Sequence, residues 1–259
     1  MSRLHLAFEC RGTTCIGTID TAPGSAGLLI ISGGNEIRSG AFQGQSRLAA
    51  RIAAAGFPVF RYDRRGVGDS DGENRGYGKS GPDIAAALAA FRAISPQTGR
   101  IVTFGNCDAA SALMLSGGAG SDAVILANPW TFEEAETSSN PSPLEARARY
   151  REKLSSPREI ARLLRGGVNF PKLSRGLMQA IKPGRPANSL TDRMLEGLAD
   201  HAGDVRILLA GNDRSAQAFA RAWPADDARI RYCPDASHGF VEPAAQDWLD
   251  SQILEALRA

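Results

Sequence analysis

Five short, almost continuously apolar runs constrain this chain more than any other feature. The first is Ala26-Gly27-Leu28-Leu29-Ile30-Ile31-Ser32, and the pattern returns at Phe57–Tyr62, Arg100–Phe104, Ala123–Ala127 and Val205–Ala210, with a weaker version at Arg229–Cys233. A strand with no polar side has no face for water, so each run predicts a strand covered on both faces, as parallel sheets flanked by helices require. Apolar residues at i, i+3, i+4 spacing predict helices over Gln45–Ala55 and Asp83–Ile94, with others over Asp108–Leu115 and Ala244–Leu257. Strand and helix alternate, so the expected fold is α/β, with a doubly wound, mostly parallel sheet. Ahead of it, Leu4–Cys10 and Thr13–Asp20 alternate with period two around Arg11-Gly12, which predicts an antiparallel hairpin.

One stretch breaks the rhythm. From about Trp130 to Asp200 there is no strand-like run, only Pro- and Ser-rich joints and basic helical pieces. It is read as a helical lid inserted into a single domain spanning residues 1–259. Between Arg147 and Arg185 stand 11 Lys or Arg against Glu152 and Glu159. That imbalance suits a solvated helical face, or a basic lid that draws in an anionic or carrier-bound substrate. Over the whole chain the charge balances, with 30 Lys+Arg against 28 Asp+Glu and a net charge of +2, which argues against a nucleic-acid partner. No apolar stretch is long enough for a membrane span, and Met1–Cys10 lacks the apolar segment of a secretory signal. Four cysteines, Cys10, Cys15, Cys107 and Cys233, in 259 residues do not make a disulfide framework, so a reduced, cytoplasmic protein is expected. Cys10 and Cys15 are expected to face one another across the hairpin, with no metal implied.

Chemistry concentrates at Ile101-Val102-Thr103-Phe104-Gly105-Asn106-Cys107-Asp108-Ala109-Ala110. An apolar strand runs into Gly-x-Cys-x-Ala and then into a helix of small residues. This is the form of a nucleophile elbow, a turn so sharp that side chains two positions before and after the nucleophile would collide. Gly105 and Ala109 meet that demand, and Cys107 is the nucleophile candidate. The helix N-terminus favours negative charge on its sulfur, while Asp108 opposes it in part. A buried structural Cys at a strand–helix junction is the alternative.

A thiol nucleophile needs a base, and there are three histidines. His5 lies in the first strand. His201 precedes the Val205 strand, at the wrong edge of a parallel sheet. His238, in Asp235-Ala236-Ser237-His238-Gly239-Phe240, follows the Arg229–Cys233 strand, where open α/β sheets place their sites. Asp213, in the loop after Val205–Ala210, is the candidate orienting acid. It would also suit the N-cap of a helix near Ser215, and Asp235 is a weaker rival. For an oxyanion hole the expected backbone donors are the amides of Asp108 and of Asn35, which follows Gly33-Gly34 after the first apolar strand. Gly-Gly there would equally make a plain turn; Gly-x-Gly-x-x-Gly is absent, so nucleotide binding is discounted. Tyr62-Asp63-Arg64-Arg65-Gly66-Val67-Gly68-Asp69-Ser70 reads as a structured loop beside the site.

These residues resemble the α/β-hydrolase superfamily, which has the chain order nucleophile, acid, base shown here by Cys107, Asp213 and His238. More narrowly, the chain resembles the exosortase A system-associated hydrolase 1 family, encoded near polysaccharide and protein-sorting genes in some bacteria. The matching stretches are Ile31-Ser32-Gly33-Gly34, Arg61–Ser70, Gly105–Ser111, Ala127-Asn128-Pro129-Trp130 and Gly211-Asn212-Asp213. The Cys at the elbow, where most of the superfamily carries Ser, is the specific element. The expectation is a hydrolase acting on a small-molecule ester or thioester through a covalent acyl-enzyme, with no cofactor. The alternatives are acyl transfer through the same triad and a non-catalytic scaffold or partner protein on a hydrolase fold.

Overall fold

The computed structural model describes residues 2–132 and 189–259. The chain divides into two compact units, one of Met1–Thr131 with Thr191–Ala259 and one of Phe132–Leu190. The second falls almost wholly outside the described residues. So does most of the expected lid insertion, including its basic segment.

The first unit is built on an eight-stranded sheet with the order β1-β2-β4-β3-β5-β6-β7-β8. The strands are β1 Arg3–Cys10, β2 Thr13–Asp20, β3 Ala26–Ile31, β4 Val59–Tyr62, β5 Arg100–Asn106, β6 Ala123–Ala127, β7 Asp204–Ala210 and β8 Ile230–Cys233. From β4 to β8 every neighbouring pair is parallel, while β1–β2 and β2–β4 are antiparallel. The apolar runs behave as the pattern demands: every residue of β3, β4 and β6 is buried. Two boundaries differ from expectation. β4 starts at Val59 because Gly56 turns with φ 100° and Pro58 has no N–H for a ladder. β5 continues past Phe104 because Gly105 and Asn106 still pair with Leu126 and Ala127 of β6.

Helices cover both faces. The described ones are α1 Gly44–Ala54, α2 Gly81–Ile94, α3 Asp108–Leu115, α4 Leu190–Ala199, α5 Arg214–Ala222 and α6 Pro243–Arg258. Ile52 of α1 and Ile253 of α6 join alternate strand residues such as Leu28, Val102 and Ile125 in one core. On the opposite face Phe91 of α2 packs against Phe60, with ring centroids 5.7 Å apart, and over Gly27, where a Cβ would lie 2.6 Å from the Phe91 ring. No described helix is long and apolar enough to cross a membrane. Cys10 and Cys15 share a face of the hairpin, and the Cys10 thiol donates to the Pro82 carbonyl at 3.6 Å. The result is a rigid platform on which the C-terminal ends of β3, β5, β6, β7 and β8 lie side by side.

Candidate active site

Cys107 stands between β5 and α3 with φ 64° and ψ −128°, backbone torsions that L-residues avoid unless the surroundings impose them. Here they do. The Cys107 N–H donates to the Ala127 carbonyl at 3.0 Å, and the Cys107 carbonyl accepts from the Ala110 N–H at 3.1 Å. The turn is so tight that a Cβ on Gly105 would sit 2.7 Å from the carbonyl carbon of Ala109 and 2.8 Å from the Ala110 nitrogen. Glycine at 105 is therefore a steric necessity, which is the elbow argument made in distances. The Cys107 side chain is part-exposed, whereas Cys10, Cys15 and Cys233 are buried.

His238 is brought to Cys107 by the loop after β8. Ala236 and Phe240, on either side, are buried, and Phe240 stacks on Trp248 of α6 with a centroid distance of 6.0 Å. Pinned in this way, the His238 ring comes close enough to Cys107 for the thiol to help raise the imidazole. Its Nδ1 lies 3.1 Å from Oδ2 of Asp213, at the end of β7. The same Oδ2 accepts the Ala216 N–H at 2.9 Å and caps α5. One oxygen of Asp213 thus contacts the His238 ring and caps α5. Asp235 is exposed, and the other histidines lie elsewhere: His5 Nδ1 meets Thr18 Oγ1 at 2.9 Å and His201 Nδ1 meets the Gly117 carbonyl at 3.2 Å.

The loop after β3 comes to the same place. Oδ1 of Asp108 accepts the Gly34 N–H at 2.6 Å, the Gly34 carbonyl accepts from Arg64, and Asn74 Nδ2 donates to Asn35 Oδ1 at 2.7 Å. Gly33 lies against this contact, where a Cβ would meet Asp108 Oδ1 at 2.5 Å and the Asn106 carbonyl oxygen at 3.0 Å. The loop after β4, read as scaffold, is tied down by Asp63. That buried carboxylate accepts the Arg38 N–H at 2.5 Å and the Asp69 N–H at 3.1 Å.

Residues 28–250 match the family described as the alpha/beta hydrolase family. The chain belongs to that family. No curated protein sequence matches it. Among solved structures, the alpha/beta hydrolase chain is similar to the esterase Pf2001 of Pyrococcus furiosus, with 13% identity and a TM-score of 0.65 over 99% of this chain and 90% of that one. It is similar to the alpha/beta hydrolase GrgF from Penicillium sp. sh18, with 17% identity and a TM-score of 0.65 over 100% and 98% of the two chains. A thioesterase domain from the curacin biosynthetic pathway is 16% identical, with a TM-score of 0.57 over 98% of this chain and 100% of that one. At such identities the likeness speaks for the hydrolase fold.

The electrostatics of this hydrolase site follow from its contacts. The Asp213 hydrogen bond, followed by the interaction with Cys107, pushes the His238 imidazole up to about 10 against the opposing effect of burial. Burial works to raise the Asp213 carboxyl, but the bonds from His238 and the Ala216 N–H outweigh it and hold that carboxyl below its usual value. At Asp108 burial wins and raises the carboxyl, despite the Gly34 N–H and the positive charge of Arg64. Among the described residues no three His, Cys, Asp or Glu gather as metal ligands.

Two residues at the site were given no role of their own in the sequence reading. Asn106 and Asn128, which end β5 and follow β6, both donate to the His238 carbonyl at 3.0 Å. Both lie in stretches that carry the family resemblance, but an amide side chain directly at the end of an apolar run also reads as ordinary loop punctuation.

Proposed function

We propose that this alpha/beta hydrolase cleaves an ester or thioester of a small acyl compound, with Cys107 as nucleophile, His238 as acid–base and Asp213 as the orienting acid. The observation that supports the reading is the His238 ring, whose Nδ1 lies 3.1 Å from Asp213 Oδ2 and whose imidazole is raised by both Asp213 and Cys107. With Nδ1 turned to Asp213, the other ring nitrogen serves the sulfur. An imidazole pushed up to about 10 holds its proton at neutral pH. The reaction therefore starts from an imidazolium beside the sulfur rather than from a free base.

The sulfur attacks the acyl carbon as a thiolate, and the new C–S bond forms as the carbonyl oxygen takes the negative charge. Amides of Asn35 and Asp108 are the donors assigned to that oxygen. When the tetrahedral carbon collapses, the imidazolium gives its proton to the leaving alcohol or thiol, and a thioester acyl-enzyme remains. Neutral His238 then takes a proton from water, whose oxygen attacks the same carbon. Expulsion of the Cys107 thiolate releases the acid and restores the imidazolium.

The Gly-x-Cys-Asp-Ala elbow, with Ala127-Asn128-Pro129-Trp130 and Gly211-Asn212-Asp213, supports the narrower resemblance to the exosortase A system-associated hydrolase 1 family. The test is intact-mass analysis after mixing the full chain with p-nitrophenyl acetate or an acetyl thioester. One acetyl group on Cys107 is expected, longer-lived in His238→Ala and absent in Cys107→Ala. An adduct that persists in Cys107→Ala, or none in any variant, would overturn the assignment. Faster turnover in the presence of an added amine or alcohol, with the acyl group recovered on it, would move the activity to acyl transfer.

A further inference from the structure

Asn128 is a fully buried amide at φ 45°, in the left-handed region that Asn tolerates better than most residues. Its backbone N–H and both polar atoms of its side chain are used. Its N–H donates to the Leu208 carbonyl at 2.9 Å. Its Oδ1 accepts the Ala210 N–H at 2.8 Å, and its Nδ2 donates to Asn106 Oδ1 at 3.2 Å and to the His238 carbonyl at 3.0 Å. Asn106, one residue before Cys107, donates its own Nδ2 to that same carbonyl.

These contacts join chain segments at the C-terminal edge of the sheet, just past the last β5–β6 and β6–β7 ladder pairs. Ala210 ends β7, three residues before Asp213, and the connection is continued by the Gly211 N–H to the Cys233 carbonyl at 2.9 Å and the Asn212 N–H to the Ala236 carbonyl at 3.0 Å. The acid loop is thereby tied to the base loop, and both are tied to the strand end that precedes the nucleophile. The job needs a short side chain with a donor and an acceptor side by side, which only an amide supplies at this size. A carboxylate would keep the acceptor for Ala210 but place an oxygen against the His238 carbonyl. An apolar isostere would strand two buried partners.

We propose that Asn128, with Asn106, is a positioning residue: the pair fixes the His238 backbone so that its ring stands between Cys107 and Asp213. The inference rests on the proposed triad, and it goes beyond the triad because neither amide touches the reacting atoms. Displacement of the loop by even part of an ångström separates groups whose effect depends on hydrogen-bond reach.

The test uses the full chain and variants Asn128→Asp, Asn106→Ala and His238→Ala. Iodoacetamide labelling of Cys107 is followed by mass spectrometry from pH 5 to 9, beside kcat and KM for p-nitrophenyl acetate and thermal melting. Asn128→Asp should lower labelling at pH 6 by about tenfold and bend the pH profile toward that of His238→Ala. It should lower kcat with KM little changed, and adding it to His238→Ala should cost nothing further. Asn106→Ala, which removes one of two donors, should move the profile the same way by about threefold. It decides the matter if Asn128→Asp fails to fold. A merely structural role would lower the melting temperature and leave the Cys107 profile unchanged, and that result overturns the proposal. If wild-type labelling is already indifferent to His238, the triad itself fails. If it depends on His238 but not on either asparagine, the positioning role alone fails.

Discussion

Oδ1 of Asp108 accepts the Gly34 N–H at 2.6 Å, so the residue that follows Cys107 is clamped to the loop that follows β3. One side chain thereby links the two backbone segments assigned to the oxyanion, and it brings a negative charge next to the sulfur. These two effects can be separated. Asp108→Asn keeps an acceptor for Gly34 and removes the charge, so alkylation of Cys107 at pH 6 should speed up severalfold, by about the factor of one close charge in a part-wet site. Asp108→Ala also frees the Gly34 N–H, and should cost about 1–3 kcal/mol of stability and lower kcat for p-nitrophenyl acetate. Rates of labelling and turnover in the two variants check this. Equal behaviour of Asn and Ala would mean that the clamp has no part in the chemistry.

Asp213 Oδ2 serves both His238 Nδ1 and the Ala216 N–H, which allows catalysis and capping to be weighed in one residue. Asp213→Asn retains a capping oxygen but cannot balance the imidazolium, so kcat/KM should fall by roughly 10²–10⁴ with the melting temperature nearly kept. Asp213→Ala should lose a similar amount of activity and a further cap contribution of about 1 kcal/mol. Full activity in Asp213→Asn would reduce the residue to a helix cap.

Much of this was legible in the sequence, and the reason is burial. β3 and β6 are apolar at every position because helices cover both sides, so their runs could not be mistaken for a half-exposed edge strand. The elbow was legible because Gly105 leaves no room for any other residue. Neighbourhood was not. Nothing in the period-two pattern of Thr13–Asp20 says that Gly17 pairs with Tyr62, because strand order is set by how the crossovers pack. The buried amides were hidden for a related reason. Asn106 and Asn128 carry their meaning in partners more than 80 residues away, at Ala210 and His238. The sequence offered Asp213 an orienting role or a helix cap and could not show that one of its oxygens reaches both His238 Nδ1 and the Ala216 N–H.

The proton on His238 links folding to pH. Folding raises this group from its ordinary value near 6.5 to about 10. Its contribution to stability is therefore complete below about pH 6.5 and is lost as the pH rises toward 10. The side chain is 43% exposed, so only the direction is assigned. Melting temperatures from pH 7 to 10.5 should fall more steeply in the wild type than in His238→Gln, which cannot titrate. Other groups that ionise in this range do so in both proteins, and the difference isolates the imidazolium. Parallel curves would show that the ring is neutral in the folded state.

The four thiols give the sharpest contrast. Cys107 is part-exposed, on a strained turn at a helix N-terminus, and coupled to a His238 imidazole pushed up to about 10. The other three are buried, and each is held back by burial first. Cys10 is raised further by Asp83, Cys15 is pushed up to about 11 with its neighbour Cys10 adding to the effect, and Cys233 is raised by Asp235 and Glu242. Iodoacetamide should therefore label Cys107 first, and its labelling should persist below neutral pH where the others are silent. Replacing His238 with Ala removes the positive partner, so the loss should be largest at low pH, by roughly tenfold or more. Site-resolved mass spectrometry across a pH series measures all four together. Uniform labelling, or a Cys107 profile that ignores His238, would turn the reading from an activated nucleophile to a scaffold on a hydrolase fold.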